Sequence, residues 1–200
     1  MLRLKTTFSL VTSLAFLYVC GFFTGLIIGC SATGKVTGGY AGGLVGSVGP
    51  GGKIVACHSA GEVEGYYAGG ISSSFSYGHL IGCYSTANVK DEYGAGGICR
   101  SIVNPGAFIG NYWKSNTDVG IDGRYDIYVT IEATEVDGTD VTWKDAIDAM
   151  NAALIEWNEN NEDHDYYCSF HYEQTNGVDK QPVLVDGARN NRYIYRRSKR

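Results

Sequence analysis

The chain has 200 residues, a net charge of −5, 44% hydrophobic content, 28 glycines and three prolines. That length suits one domain, or a repeat array with a small appended unit. The acidic balance argues against nucleic acid as a partner, because binding there rests on neutralising phosphates. Charge and glycine are unevenly spread. Residues 31–114 carry five basic and four acidic side chains, 115–188 carry three and 17, and 189–200 carry six and none. Of the 28 glycines, 22 fall between Gly25 and Gly110.

In chain order, Arg3 and Lys5 precede an uncharged stretch from Thr6 to Gly34, strongly apolar from Phe8 to Ile28. Residues 1–24 therefore read as a signal-like or anchor segment, and Ile27-Ile28-Gly29-Cys30 has the form of a lipoprotein cleavage box. Three readings stay open: a signal with lipidation at Cys30, an uncleaved membrane anchor, and a first coil distorted by truncation or a misplaced start. Most of these outcomes place the protein at the cell envelope or outer surface, or among secreted proteins.

From Gly25 a unit of about 27 residues recurs, as Gly25-Leu-Ile-Ile-Gly-Cys30, Gly52-Lys-Ile-Val-Ala-Cys57 and Gly78-His-Leu-Ile-Gly-Cys83. A degraded copy follows, Gly106-Ala-Phe-Ile-Gly-Asn111. Six residues after each cysteine stands a valine (Val36, Val63, Val89), and ten after stands a tyrosine (Tyr40, Tyr67, Tyr93). A Gly-Gly pair then precedes an aliphatic residue. A fixed period in this range signals stacked units that bury their apolar faces against one another. Alternation puts the residues three and one before the cysteine on one face, the small one leaving room for the larger. The Gly-Gly pairs and the Gly34, Gly61 and Asn88 steps supply corners. The expected fold is mainly β: a parallel β-solenoid of about three to four coils over 25–114.

Stacked coils lie about 4.8 Å apart, so Cys30, Cys57 and Cys83 should form a structural ladder of buried thiols behaving as small hydrophobes. Tyr40, Tyr67 and Tyr93 admit two readings: an aromatic ladder that holds coils in register, or contact residues for a partner.

Gly43-Leu-Val-Gly46 and the surrounding Cys-x-Ser/Ala-x-Gly-x-Val-x-Gly-x-Tyr-Ala-Gly-Gly pattern resemble the GLUG repeat over roughly Gly25 to Asn111. That repeat occurs in surface and secreted bacterial proteins, often of gut Bacteroidetes, and in the non-catalytic part of some immunoglobulin-cleaving peptidases. The resemblance implies a repeat module without a catalytic site. Later copies read Gly70-Ile-Ser-Ser and Gly97-Ile-Cys-Arg, an array that decays along the chain.

Residues 115–188 read as an α/β capping region. Tyr125–Ile131 has strand character. Thr142 with Asp145 forms a capping pair before Trp143, Ala146, Ile147, Met150, Leu154 and Trp157 at helical spacing. Helix 142–157 is the candidate lid over the terminal coil, since open solenoid ends invite pairing with other chains. Strands at 166–172 and 182–185 complete a strand–helix–strand cap, and 189–200 is a basic tail.

Chemistry is sparse. No His-Glu-x-x-His, Gly-x-Ser-x-Gly or phosphate loop occurs, so no catalytic or cofactor-binding residue and no cofactor is expected. His164, Asp165, Cys168 and His171 have zinc-ligand types, but on a strand Cys168 and His171 face opposite sides. Asp118, Asp122, Asp137 and Asp140 lack the regular spacing of a calcium repeat. No metal site is expected. The reading is a non-enzymatic surface or secreted protein with an adhesion-like or scaffolding role. Its partner would be a host or envelope protein or a glycan, with membrane attachment through the N-terminus. Alternatives are a fragment of a larger GLUG-bearing protein and a carbohydrate-active β-helix enzyme. The latter needs acids grouped on one face, and residues 25–110 offer Glu62, Glu64, Asp91 and Glu92.

Overall fold

Each unit closes into one coil because its chain turns at fixed places. The structure, a computed structural model, describes residues 3–5, 22–125, 130–160, 167–175 and 180–187, and these form a mainly β parallel solenoid of about four turns with a helix between strands near the C-terminus. One side of the coil is a column of short strands: β1 (Arg3–Lys5), β2 (Leu26–Ile28), β6 (Lys53–Val55), β9 (His79–Ile81) and β12 (Phe108–Trp113). Beyond the cysteine run β3 (Ser31–Ala32), β4 (Lys35–Gly42), β7 (His58–Gly69) and β10 (Tyr84–Asp91). The third side stacks β5 (Val45–Val48), β8 (Ser72–Ser76), β11 (Cys99–Val103) and β13 (Ile121–Tyr125). Pairing is parallel and one full unit apart: Ile27 faces Ile54, Ile54 faces Leu80, and Val36 faces Val63, which faces Val89.

Stacking runs on past Lys114. β11 pairs with β13, and β12 pairs with β14 (Ile131–Glu135). Of the strand expected over 125–131, Tyr125 closes β13 and Ile131 opens β14, and residues 126–129 lie outside the described set.

The small residue before each cysteine has a reason other than making room. Gly29, Ala56, Gly82 and Gly110 all have left-handed backbone, with φ of 65, 50, 57 and 62°. This corner interrupts the alternation, so the residue three before the cysteine and the cysteine itself both point into the lumen. The residue between them, two before the cysteine, points out. The Gly-Gly pairs are needed for close approach rather than for positive φ. A Cβ on Gly43 would come 2.6 Å from Ser59 Cβ of the next coil, and one on Gly97 would come 2.6 Å from the Trp113 ring.

The lumen is closely packed. Ile54, Ile71, Phe75, Leu80, Ile98, Ile102 and Phe108 are fully buried, and Phe75 meets Phe108 edge-on at 4.9 Å. Each such side chain contributes about 1.5–3 kcal/mol through its removal from water.

The outward column does not face solvent. Ile28, Val55, Ile81 and Ile109 pack under α1 (Trp143–Asn160), which presents Trp143, Ala146, Ile147, Met150, Ala153 and Leu154 to them. Thr142 and Asp145 form the expected capping pair: Thr142 Oγ1 accepts the Asp145 N–H at 3.3 Å, and Asp145 Oδ2 accepts the Thr142 N–H at 3.0 Å. The helix is therefore a flank cover rather than a lid across the terminal coil. The corner glycines admit it: a Cβ on Gly82 would lie 2.8 Å from Leu154, and one on Gly110 2.7 Å from Ala153. The antiparallel pair β15 (Phe170–Glu173) and β16 (Val183–Asp186) extends the cover, with Phe170 against Gly29. The Tyr172 hydroxyl, which reaches the carbonyls of Cys57 at 3.2 Å and Gly82 at 2.9 Å, ties two coils to it.

Candidate functional site

The most developed surface feature is a stripe of tyrosines on the long strands. β4 and β7 pair in register with Tyr40 opposite Tyr67, and their neighbours Ala41 and Ala68 turn into a small inner core with Val63, Ala87 and Val89. Tyr40 and Tyr67, one residue before these alanines, point away from that core. The Tyr40 and Tyr67 rings stack with centroids 5.0 Å apart and planes 29° apart. Tyr93 follows the end of β10, where Asp91 Oδ1 accepts its N–H at 2.5 Å. The other carboxylate oxygen of Asp91 accepts the Ala68 N–H, which anchors this turn to β7. The Tyr93 ring thereby meets Tyr67 at 6.0 Å and Tyr66 at 6.2 Å. Tyr40 and Tyr93 are each 63% exposed and Tyr66 is 54% exposed. The three predicted tyrosines thus come together as one continuous row.

Two further residues belong to the row. Tyr66 has no counterpart in the other units, where Gly39 and Glu92 stand, so periodicity gave no sign of it; the Tyr-Tyr pair was the available signal. Arg100 occupies the last position of the degraded Gly97-Ile-Cys-Arg copy. Its guanidinium lies 5.2 Å over the Tyr67 ring, donates from Nη2 to the Tyr93 carbonyl at 3.4 Å, and faces Asp122 at 3.8 Å. On the strands beside the stripe Lys35 pairs with Glu64 at 2.8 Å and Glu62 at 3.6 Å. The Lys35 hydrogen bond and charge hold the Glu64 carboxyl below its usual range.

The cysteine ladder lies on the opposite side of the strand, in the lumen. The Cys30 N–H donates to Cys57 Sγ at 3.3 Å, and the Cys57 N–H donates to Cys83 Sγ at 3.4 Å. Those thiols donate in turn to Val55 and Ile81 carbonyls, at 3.1 and 3.3 Å. Cys57 and Cys83 carry free, fully buried thiols, and burial pushes the Cys57 thiol well up. Asn111 is the fourth rung: its Oδ1 accepts the Cys83 N–H at 3.1 Å and its Nδ2 donates to the Leu80 carbonyl at 2.9 Å. What reads as a degraded cysteine position is a polar cap. Asn116 does the same on the long strands, accepting the Val89 N–H and donating to the Val89 carbonyl, at 2.8 and 2.9 Å.

Among the described residues no three His, Cys, Asp or Glu side chains group as metal ligands. Cys168 is buried with its thiol pushed up to about 12 by burial, while His171 contacts Glu173 at 3.0 Å; His164 and Asp165 lie outside the described set. Asp137 accepts the N–H groups of Thr139, Asp140 and Val141, forming the turn that leads into α1. A cleft of about 270 Å³ opens between α1 and the strand column, lined by Lys53, His79, Ile109, Glu156 and Trp157 among others. Burial and the nearby Lys53 charge hold the His79 imidazole below its usual range, and its Nδ1 accepts the Ala107 N–H at 3.0 Å.

Cys30 itself sits half-buried in the first rung, where its ladder role needs an intact coil. The apolar segment through residue 21, apart from the Arg3–Lys5 backbone, and the basic tail 189–200 lie outside the described residues. No helix among the described residues is long and apolar enough to cross a membrane. No family model, no curated protein and no solved structure matches this chain.

Proposed function

We propose that the chain is a non-enzymatic, adhesion-like repeat module of the cell envelope, outer surface or secreted fraction, which binds its partner through the tyrosine stripe. One observation carries this reading: Tyr40, Tyr66, Tyr67 and Tyr93 form a contiguous aromatic row on the sheet surface, with Tyr40, Tyr66 and Tyr93 exposed and Tyr67 half-buried between them. Aromatic surface of this extent is uncommon outside interaction sites, and Tyr is enriched in them because its ring is amphipathic and has few torsions to immobilise. The envelope location is supported by the charge and hydropathy of residues 1–28, and the GLUG resemblance is consistent with both. The same resemblance accommodates a chain that is one segment of a larger GLUG-bearing surface protein.

The test compares the full chain with a Tyr66→Ala/Tyr67→Ala/Tyr93→Ala variant for binding to intact bacterial cells and to host mucosal matrix. Loss of binding, with circular dichroism and melting temperature preserved, supports the reading. Equal binding by both, or none by either, overturns it.

A further inference from the structure

We propose that the tyrosine stripe is a binding site for a neutral glycan chain, laid along the solenoid axis so that it crosses β4, β7 and the Tyr93 turn. This deepens the contact reading above and rests on it. The row follows the coil stack, with ring centroids 5.0 Å apart from Tyr40 to Tyr67 and 6.0 Å apart from Tyr67 to Tyr93. An extended chain of pyranose rings, each with an apolar C–H face, can run along such a row over several units.

The chemistry of the surface selects the class. Every ring in the row carries a hydroxyl, and the observed pairings run from tyrosine to tyrosine. Tyr40 and Tyr66 terminate the run with a single ring partner each and are 63% and 54% exposed, which leaves ring surface for the C–H face of a sugar. Charge argues against an acidic polymer. Lys35 is engaged by Glu62 and Glu64, Arg100 by Asp122, and Lys90 lies near enough to Glu64 to lower its carboxyl. Asp91 spends both oxygens on backbone N–H groups. With Glu92 included, carboxylates around the stripe outnumber cations, so a uronate or sulfate would meet repulsion rather than a spare guanidinium. Arg100 acts by stacking on Tyr67 and fixing the Tyr93 turn, which holds the row in shape before a ligand arrives.

The experiment applies the full chain to a printed array of neutral and acidic oligosaccharides, beside a Tyr66→Ala/Tyr93→Ala variant and a Tyr66→Phe/Tyr93→Phe variant. Each is first checked for unchanged circular dichroism and melting temperature. Expected are retention on neutral oligosaccharides long enough to span the row, a loss of roughly tenfold or more for the alanine pair, and a smaller loss for the phenylalanine pair, which keeps the rings. A blank array, retention on acidic glycans alone, or an alanine pair that binds as well as the parent overturns the proposal. Should the array be blank while tyrosine-dependent binding to cells persists, the contact stripe stands and its partner is a protein.

Discussion

Two columns of side chains run up this solenoid ten residues apart in every unit, and they meet opposite fates. Cys30, Cys57 and Cys83 face the lumen, where the Cys57 and Cys83 thiols each accept from the coil before and donate to a carbonyl. Tyr40, Tyr67 and Tyr93 face solvent and touch one another through their rings. The difference shows where each column ends. Inside, the fourth rung has to satisfy the Cys83 N–H, and Asn111 does so while its carboxamide nitrogen bonds the Leu80 carbonyl. Outside, the row simply stops: Ile121, the register partner of Cys99, comes 10 residues after Asn111 where Cys99 comes 16 after Cys83, so the fourth coil lacks the stretch that carries the tyrosine. A shared period places the columns; the side of the strand decides whether a missing member must be replaced.

The comparison breaks most sharply in the lumen. Leu80→Ala opens a cavity where the side chain is fully buried, and urea unfolding should show a loss of about 2–5 kcal/mol. Next comes His58, beside the cysteine ladder, stacked on Tyr84 at 4.7 Å and held by burial at a pKa of about 4. Unfolded, it titrates near 6.5, so the unfolded chain binds a proton that the native chain refuses. Stability should therefore fall as pH drops from about 6.5 to about 4, by up to about 3 kcal/mol, and level off below. His58→Phe, which keeps the stack, should flatten that stretch of a pH series of denaturation midpoints. Asn111→Ala strands a buried N–H and a buried carbonyl and should cost about 2 kcal/mol. Asn111→Cys should recover part of this, since its sulfur can take the Cys83 N–H as Cys83 takes that of Cys57. The mildest change is Tyr67→Ala, which removes a ring from the solvent-facing row and should cost about 1 kcal/mol or less by melting. If Tyr67→Ala proved as damaging as Leu80→Ala, the tyrosine row would be a structural ladder and the contact reading would fail.

The stack was legible because the first three units repeat their cues, from the adjacent apolar pair to the Gly-Gly pair. The cover over the flank was also written in the sequence, though less plainly. Ile27-Ile28, Ile54-Val55, Leu80-Ile81 and Phe108-Ile109 are adjacent apolar pairs, the mark of strands buried on both faces. Simple alternation misplaced the small residue before each cysteine, assigning it the face of the residue three before, because the left-handed corner at Gly29, Ala56, Gly82 and Gly110 shifts the phase by one. Asn111, Asn116 and Arg100 were opaque for another reason. Each departs from the repeat, and a departure takes its meaning from the neighbour in the next coil, which a single unit does not contain.

The flank cover changes how this molecule comes apart. A bare repeat array behaves as a one-dimensional chain of nearest-neighbour contacts, so its end units fray independently. Here α1 and β15 span the corners from Gly29 to Gly110, and Tyr172 bonds carbonyls of two successive coils. An outer coil cannot peel away without lifting the cover from the others. Unfolding should accordingly be a single cooperative step, with amide exchange in β2, β6, β9 and β12 proceeding at one common free energy. A long quasi-linear fold is thereby made to melt like a globule.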